Sequence, residues 1–140
     1  MKRIVSRDNP TLKGLRALLG DARRQRAEGR TVLEGPHLVA AALDHGHAPD
    51  LLAVSESAAT NPEVRALLER AGNVETLCLR DALFDEISEL ATPLGILARI
   101  AVPSNAADPA GAVPPAPTSL PAGDCLLLDA VQDAGNVGTL

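Results

Sequence analysis

The 140-residue sequence contains no tryptophan, no tyrosine and a single phenylalanine, Phe84. Without aromatic side chains a protein cannot bind nucleic acid by stacking bases on an exposed platform, so any such binding has to rest on charge and hydrogen bonds. Long apolar runs are also missing: none approaches the roughly 20 residues that cross a bilayer. The start, Met1-Lys2-Arg3-Ile4-Val5-Ser6-Arg7-Asp8-Asn9, lacks the apolar middle of a secretion signal. A cytoplasmic protein that does not engage a membrane is the expectation. Cysteine is nearly absent, and Cys78 and Cys125 each fall within a strand-like run at no metal-binding spacing, which predicts reduced, buried thiols. His37, His45 and His47 have no acidic or cysteine partners at metal spacing and read as surface or capping residues, so no metal site is expected. No Ser-His-Asp or Cys-His set can be assembled.

What the sequence does have is polarised charge. Residues 1–30 hold Lys2, Arg3, Arg7, Lys13, Arg16, Arg23, Arg24, Arg26 and Arg30 against Asp8, Asp21 and Glu28, or 9 − 3 = +6. Residues 31–140 hold 4 bases and 15 acids, or −11, and the whole chain carries −5. A basic end on an otherwise acidic chain implies contact with a polyanion at that end. The alternative is a solvated helix face.

The apolar spacing alternates between helical and strand-like. Asn9-Pro10-Thr11 resembles a helix entry, with Leu12, Leu15, Leu18 and Leu19 at helical spacing up to Gly20. Asp21 to Gly29 reads as a short basic helix with a cap and a glycine stop. Arg30–Glu34 reads as a strand, and Gly35-Pro36 opens a helix with Leu38, Val39, Ala42 and Leu43 on its apolar face. Leu51–Val54 is a buried strand, and Asn61-Pro62 starts a helix through Val64, Leu67, Leu68 and Ala71 to Gly72. Val74–Leu79 is a strand, Asp81–Leu90 a helix through Leu83, Phe84, Ile87 and Leu90, and Leu94–Val102 a fourth strand. Strands alternating with helices of this length predict a three-layer α/β/α domain over residues 1–102. From Pro103 to Ala122 the composition turns to proline and alanine, which predicts a linker. Residues 123–140 begin a second unit: an apolar strand from Cys125 to Leu128, then a polar, glycine-rich turn.

Three stretches could carry chemistry. Arg7, Lys13, Arg16, Arg23, Arg24 and Arg26 could neutralise the phosphates of a nucleic acid. Glu34 and Gly35, at a strand-to-helix junction, could accept hydrogen bonds from an RNA base or ribose, or could form a capped junction and nothing more. Asp129 to Gly138 is a polar turn at a strand end, where α/β sheets bind ligands, but it follows neither the P-loop nor the dinucleotide glycine pattern.

Leu128-Asp129-Ala130-Val131-Gln132-Asp133-Ala134-Gly135-Asn136-Val137-Gly138-Thr139-Leu140 resembles the first signature motif of SpoU-type, TrmH-like RNA ribose methyltransferases of the knotted SPOUT class. Ser6 to Pro10, Val32 to Val39 and Thr92 to Ala98 resemble the substrate-binding domain of that family, which is similar in fold to ribosomal proteins that bind kinked RNA. Leu94 stands where a glutamine is common, and Ala134 where a proline is common. The resemblance implies methyl transfer from S-adenosylmethionine to a ribose 2′-hydroxyl of ribosomal or transfer RNA, and a homodimer in the full-length protein. It gives Asn136 a catalytic place and Asp129, Gln132, Gly135 and Gly138 a place in the motif loop. The motif's partner arginine would fall just past Leu140, so residues 123–140 are expected to be an incomplete methyltransferase domain. RNA binding without donor binding or catalysis is then expected of this chain alone. A non-catalytic RNA-binding module like the kink-binding ribosomal proteins is the second expectation.

Overall fold

The computed structural model describes residues 1–102. Five strands and five helices alternate through them: β1 (Lys2–Ile4), α1 (Pro10–Leu18), α2 (Ala22–Glu28), β2 (Arg30–Glu34), α3 (Pro36–Asp44), β3 (Pro49–Ser55), α4 (Pro62–Ala71), β4 (Glu75–Leu79), α5 (Asp81–Asp85) and β5 (Ile96–Ala101). A short 3-10 turn, Ala58–Thr60, precedes α4. The strands form one sheet in the order β1-β4-β3-β5-β2. β1, β4 and β3 are mutually parallel, and β5 is antiparallel to both β3 and β2. Four strands therefore point one way and β5 alone runs against them.

The helix starts are set by local chemistry. Asn9 Oδ1 accepts from the Thr11 and Leu12 amides at 3.0 and 3.2 Å, and Pro10 follows where a missing N–H costs nothing. Asn61-Pro62 repeats the device on α4, with Asn61 accepting from Glu63 N at 2.8 Å. Asp21 caps α2 through Arg24 N at 2.9 Å, and Gly29 ends it in the left-handed conformation.

The central strand β3 is buried on both faces: Leu51, Leu52, Ala53 and Val54 are each 1% exposed or less. This is why it reads as a continuous apolar run and not as an alternation. One face of the sheet packs Leu51, Ala53, Leu77, Leu79 and Leu97 against Leu12 and Leu15 of α1 and Leu83, Phe84 and Ile87 in and after α5. The other packs Leu52, Val54, Ile96 and Ala98 against Val39 of α3 and Val64 and Leu67 of α4. The three-layer arrangement follows, with about 1.5–3 kcal/mol for each large aliphatic side chain fully buried.

Several expectations are corrected. A fifth strand exists, β1, whose three residues bury only Ile4. The helix expected to reach Leu90 ends at Asp85; the chain then turns, Ile87 still reaches the core, and Leu90 is exposed. Leu38 is 53% exposed because the core face of α3 is centred on Val39 and Ala42. Cys78 is half-buried and not core; the part that is buried pushes its thiol pKa up, with Glu56 adding to the effect. No helix among the described residues is long and apolar enough to cross a membrane. The expected linker (103–122), Cys125 and the motif residues Asp129, Gln132, Gly135, Asn136 and Gly138 lie outside the described residues.

Candidate nucleic-acid interface

The four like-directed strands end at Ile4, Glu34, Ser55 and Leu79, and β5 enters at the same end, since Glu34 pairs with Leu97 and Val54 with Ile96. This is the carboxyl end of the sheet, the end at which open α/β sheets bind ligands. The segment after β1, the β2–α3 junction and the loop before β5 all meet there.

Of the basic residues singled out by sequence, Arg7, Lys13 and Arg16 come together. They rim a concavity of about 140 Å³ between the start of α1 and α5, floored by Leu12, Leu83 and Ile87 and shared with Asp8 and Glu86. Lys13 Nζ donates to Asp8 Oδ1 at 2.8 Å, which holds the Asp8 carboxyl below the usual range. Arg7 faces Glu86 at 3.5 Å. Arg16 makes no ion pair among the described residues.

Arg23, Arg24 and Arg26 stand on α2, a helix with no buried residue. Arg24 pairs with Glu28 one turn on, at 2.6 Å, while Arg23 and Arg26 have no ion-pair partner among the described residues. Gln25 Nε2 donates to the Leu18 carbonyl at 2.7 Å and ties α2 to the end of α1. A helix that contributes nothing to the core yet projects three arginines presents a charged surface.

Glu34 is committed within the fold. Its carboxylate accepts from the Ser88 hydroxyl and from the Glu89 amide, the latter at 3.2 Å, and so ties the loop after α5 to the end of β2. It does not cap α3, whose first turn begins at Gly35 without a side-chain cap. Gly35 sits at φ 98°, with Leu94 packed over it closely enough that a Cβ would lie 2.8 Å from Leu94 Cδ1.

Sequence reasoning missed a second concavity of about 370 Å³ at the same end of the sheet, lined by Ser55, Ser57, Asn61, Asp81, Asp85 and Leu94 among others. Asp81 Oδ1 accepts from the Ser57 amide at 3.0 Å and its hydroxyl at 2.9 Å, and these bonds hold the Asp81 carboxyl below the usual range. Ser55, 5% exposed, accepts from Ala58 N at 3.1 Å. Two carboxylates make this concavity unsuited to a phosphate, and its hydrogen bonds join the ends of β3 and β4. The position of Ser57 and Asp81, each just past the carboxyl end of a parallel strand, was the available signal.

Gly95 closes the same region. At φ 75° it packs directly on Ala58, so a Cβ there would collide with the Ala58 methyl and lie 3.0 Å from Ser55 Oγ. Neither neighbour has a flexible end to move aside. The substitution Gly95→Ala is expected to lower unfolding stability by about 2–4 kcal/mol, from left-handed backbone strain plus overpacking. Urea denaturation checks this through a lower midpoint with an unchanged slope.

Residues 9–98 match the family model described as the MRM3-like substrate binding domain. No curated protein matches the chain. Among solved structures, the chain is similar to an RNA 2′-O ribose methyltransferase at 26% identity and a TM-score of 0.65, covering 77% of this chain and 40% of that one. It is also similar to an rRNA methyltransferase from Sinorhizobium meliloti at 23% identity and a TM-score of 0.58, covering 71% of this chain and 36% of that one. A third is the SpoU methyltransferase AviRb from Streptomyces viridochromogenes in complex with the cofactor AdoMet, at 22% identity and a TM-score of 0.56, with 69% and 34% covered. The latter two speak for the fold alone. The chain thus spans 34–40% of the length of these proteins. With the family model spanning most of its length and a fold shared with SpoU-type RNA methyltransferases, the chain belongs to the MRM3-like substrate-binding domain family.

Proposed function

We propose that residues 1–102 are the RNA-recognition domain of a SpoU-type RNA 2′-O-ribose methyltransferase that acts in the cytoplasm, with ribosomal RNA as substrate and S-adenosylmethionine as methyl donor. The observation that carries this reading is the family match over residues 9–98, on a fold similar to that of an RNA 2′-O ribose methyltransferase. The exposed cations of α1, α2 and the segment after β1 support it, because they supply phosphate contacts in a domain without exposed aromatic rings.

Transfer of a methyl group to a ribose hydroxyl is an in-line displacement. It needs the hydroxyl held against the donor and relieved of its proton, so RNA positioning contributes directly to rate. The described domain supplies the positioning: cations fix the phosphate backbone while the sheet holds their supporting elements in place. Asn136 is proposed as the catalytic-centre residue and Asp129, Gln132, Gly135 and Gly138 as its loop. The catalytic part of such a methyltransferase is proposed to form the homodimer contact.

Calorimetric titration of the 140-residue chain with RNA and, separately, with S-adenosylmethionine tests this assignment. RNA binding without donor binding is expected of these residues alone. Failure to bind RNA would remove the reading.

A further inference from the structure

The six cations that suggest RNA binding are not equivalent. Around the notch between α1 and α5, Lys13 is held by Asp8 at 2.8 Å, an ordinary charge-assisted hydrogen-bond length. Arg7 and Glu86 stand 3.5 Å apart, beyond that range, with side chains 74% and 44% exposed. Arg16, on the same rim, has no ion-pair partner among the described residues. The floor is apolar and closed: Leu12, Leu83 and Ile87 are 2%, 9% and 5% exposed. Three cations against two carboxylates leave the notch with one net positive charge over a surface of low polarisability.

Resting on the RNA-recognition reading above, we infer that Arg7 and Arg16 bind one phosphodiester of the RNA in this notch, and that Glu86 is an internal anion which the phosphate displaces from Arg7. Lys13 stays with Asp8 and shapes the rim. Both pairs are exposed and therefore weak; the Arg7–Glu86 contact is the exchangeable one because it is the longer, and because a guanidinium engages phosphate through two parallel N–H donors. Glu86 therefore restrains affinity: RNA enters only where it offers Arg7 a better partner than the carboxylate does. This sets the notch apart from α2, where Arg23 and Arg26 bind phosphate without displacing an internal ion-pair partner.

The test is fluorescence anisotropy of a fluorescein-labelled RNA hairpin with the full 140-residue chain, repeated across a salt series, with thermal melts to confirm folding. Glu86→Gln is expected to tighten binding several-fold, because Arg7 then reaches the phosphate without leaving an internal partner. Arg16→Gln is expected to weaken binding and to flatten the slope of log K against log salt by up to one phosphate's share, roughly 0.7–0.9. In the Arg7→Gln background, Glu86→Gln is expected to tighten binding markedly less than in the wild-type chain, by no more than the removal of one anion from the notch that still holds Arg16. Equal tightening by Glu86→Gln with and without Arg7, or no tightening in a wild-type chain that binds RNA, would overturn the notch while leaving RNA recognition standing. A wild-type chain with no salt-dependent RNA binding would overturn both.

Discussion

Replacing Arg23, Arg24 and Arg26 with glutamate is expected to reduce RNA affinity by about 100-fold or more at low salt and to flatten its salt dependence. The three arginines project from a helix that buries nothing, so their reversal touches no core contact. The changes cost one ion pair, Arg24 with Glu28, of a kind worth about 0–1 kcal/mol when exposed. The acids at positions 23 and 24 fall in the first turn of α2, where the helix dipole favours them. The acid at 26 falls in the last turn and the one at 24 faces Glu28, exposed effects of a few tenths of a kcal/mol to about 1 kcal/mol each. Folding should therefore survive while the electrostatic attraction inverts over the whole patch. Anisotropy titration of a labelled RNA hairpin, paired with circular dichroism, separates the two effects. Unchanged affinity would make the basic block a solvated helix face.

The largest expected loss of stability comes from Phe84→Ala. Phe84 is fully buried and is the single aromatic of the chain, packed with Leu12, Leu15, Leu79, Leu83 and Ile87 beneath the sheet. It belongs to α5, which has five residues and no side-chain cap and is held by its packing together with the bonds from Ser57 to Asp81 at its start. Truncation removes a large apolar side chain and leaves a cavity that rigid neighbours cannot fill, at a cost of about 3–5 kcal/mol. For a domain of this size that is a large part of the whole stability. The thermal midpoint should fall by about 15–30 °C. The same segment supplies Leu83, Glu86 and Ile87 to the notch and Ser88 and Glu89 to the Glu34 tether, so RNA affinity should decline as well. Differential scanning calorimetry reads the stability; a shift of only a few degrees would show that α5 repacks.

Much of the fold was legible because its cues are local. Asn9-Pro10, Asp21 with Gly29 and Asn61-Pro62 mark helix boundaries through bonds made within three residues, Gly35-Pro36 marks one through backbone conformation alone, and all stand where expected. The unbroken apolar run of β3 announces a strand covered on both sides. β1 was not legible, since three residues with one buried position give no period to recognise. The exposure of Leu38 was missed for a related reason. On a nine-residue helix, a face drawn one position off still passes through several apolar residues, and only the packing against α4 and β5 decides which.

The candidate site divides in the same way. Charge density at residues 1–30 can be counted from sequence, but which cations are engaged cannot. Lys13 meets Asp8 close by in the chain, whereas Arg7 meets Glu86 and Glu34 meets Ser88 only because β2, α1 and α5 converge at one end of the sheet. Glu34 shows the consequence. Its place at a strand end suggested either a ligand contact or a cap, and its carboxylate instead ties two loops together.

The measurement that tests RNA recognition most directly is the salt dependence of RNA binding by the unaltered chain. Log K is expected to fall linearly with log salt, at about 0.7–0.9 for each phosphate contacted and with a total slope corresponding to at least about three contacts. Absence of binding at low salt, or an affinity that does not change with salt, would contradict it.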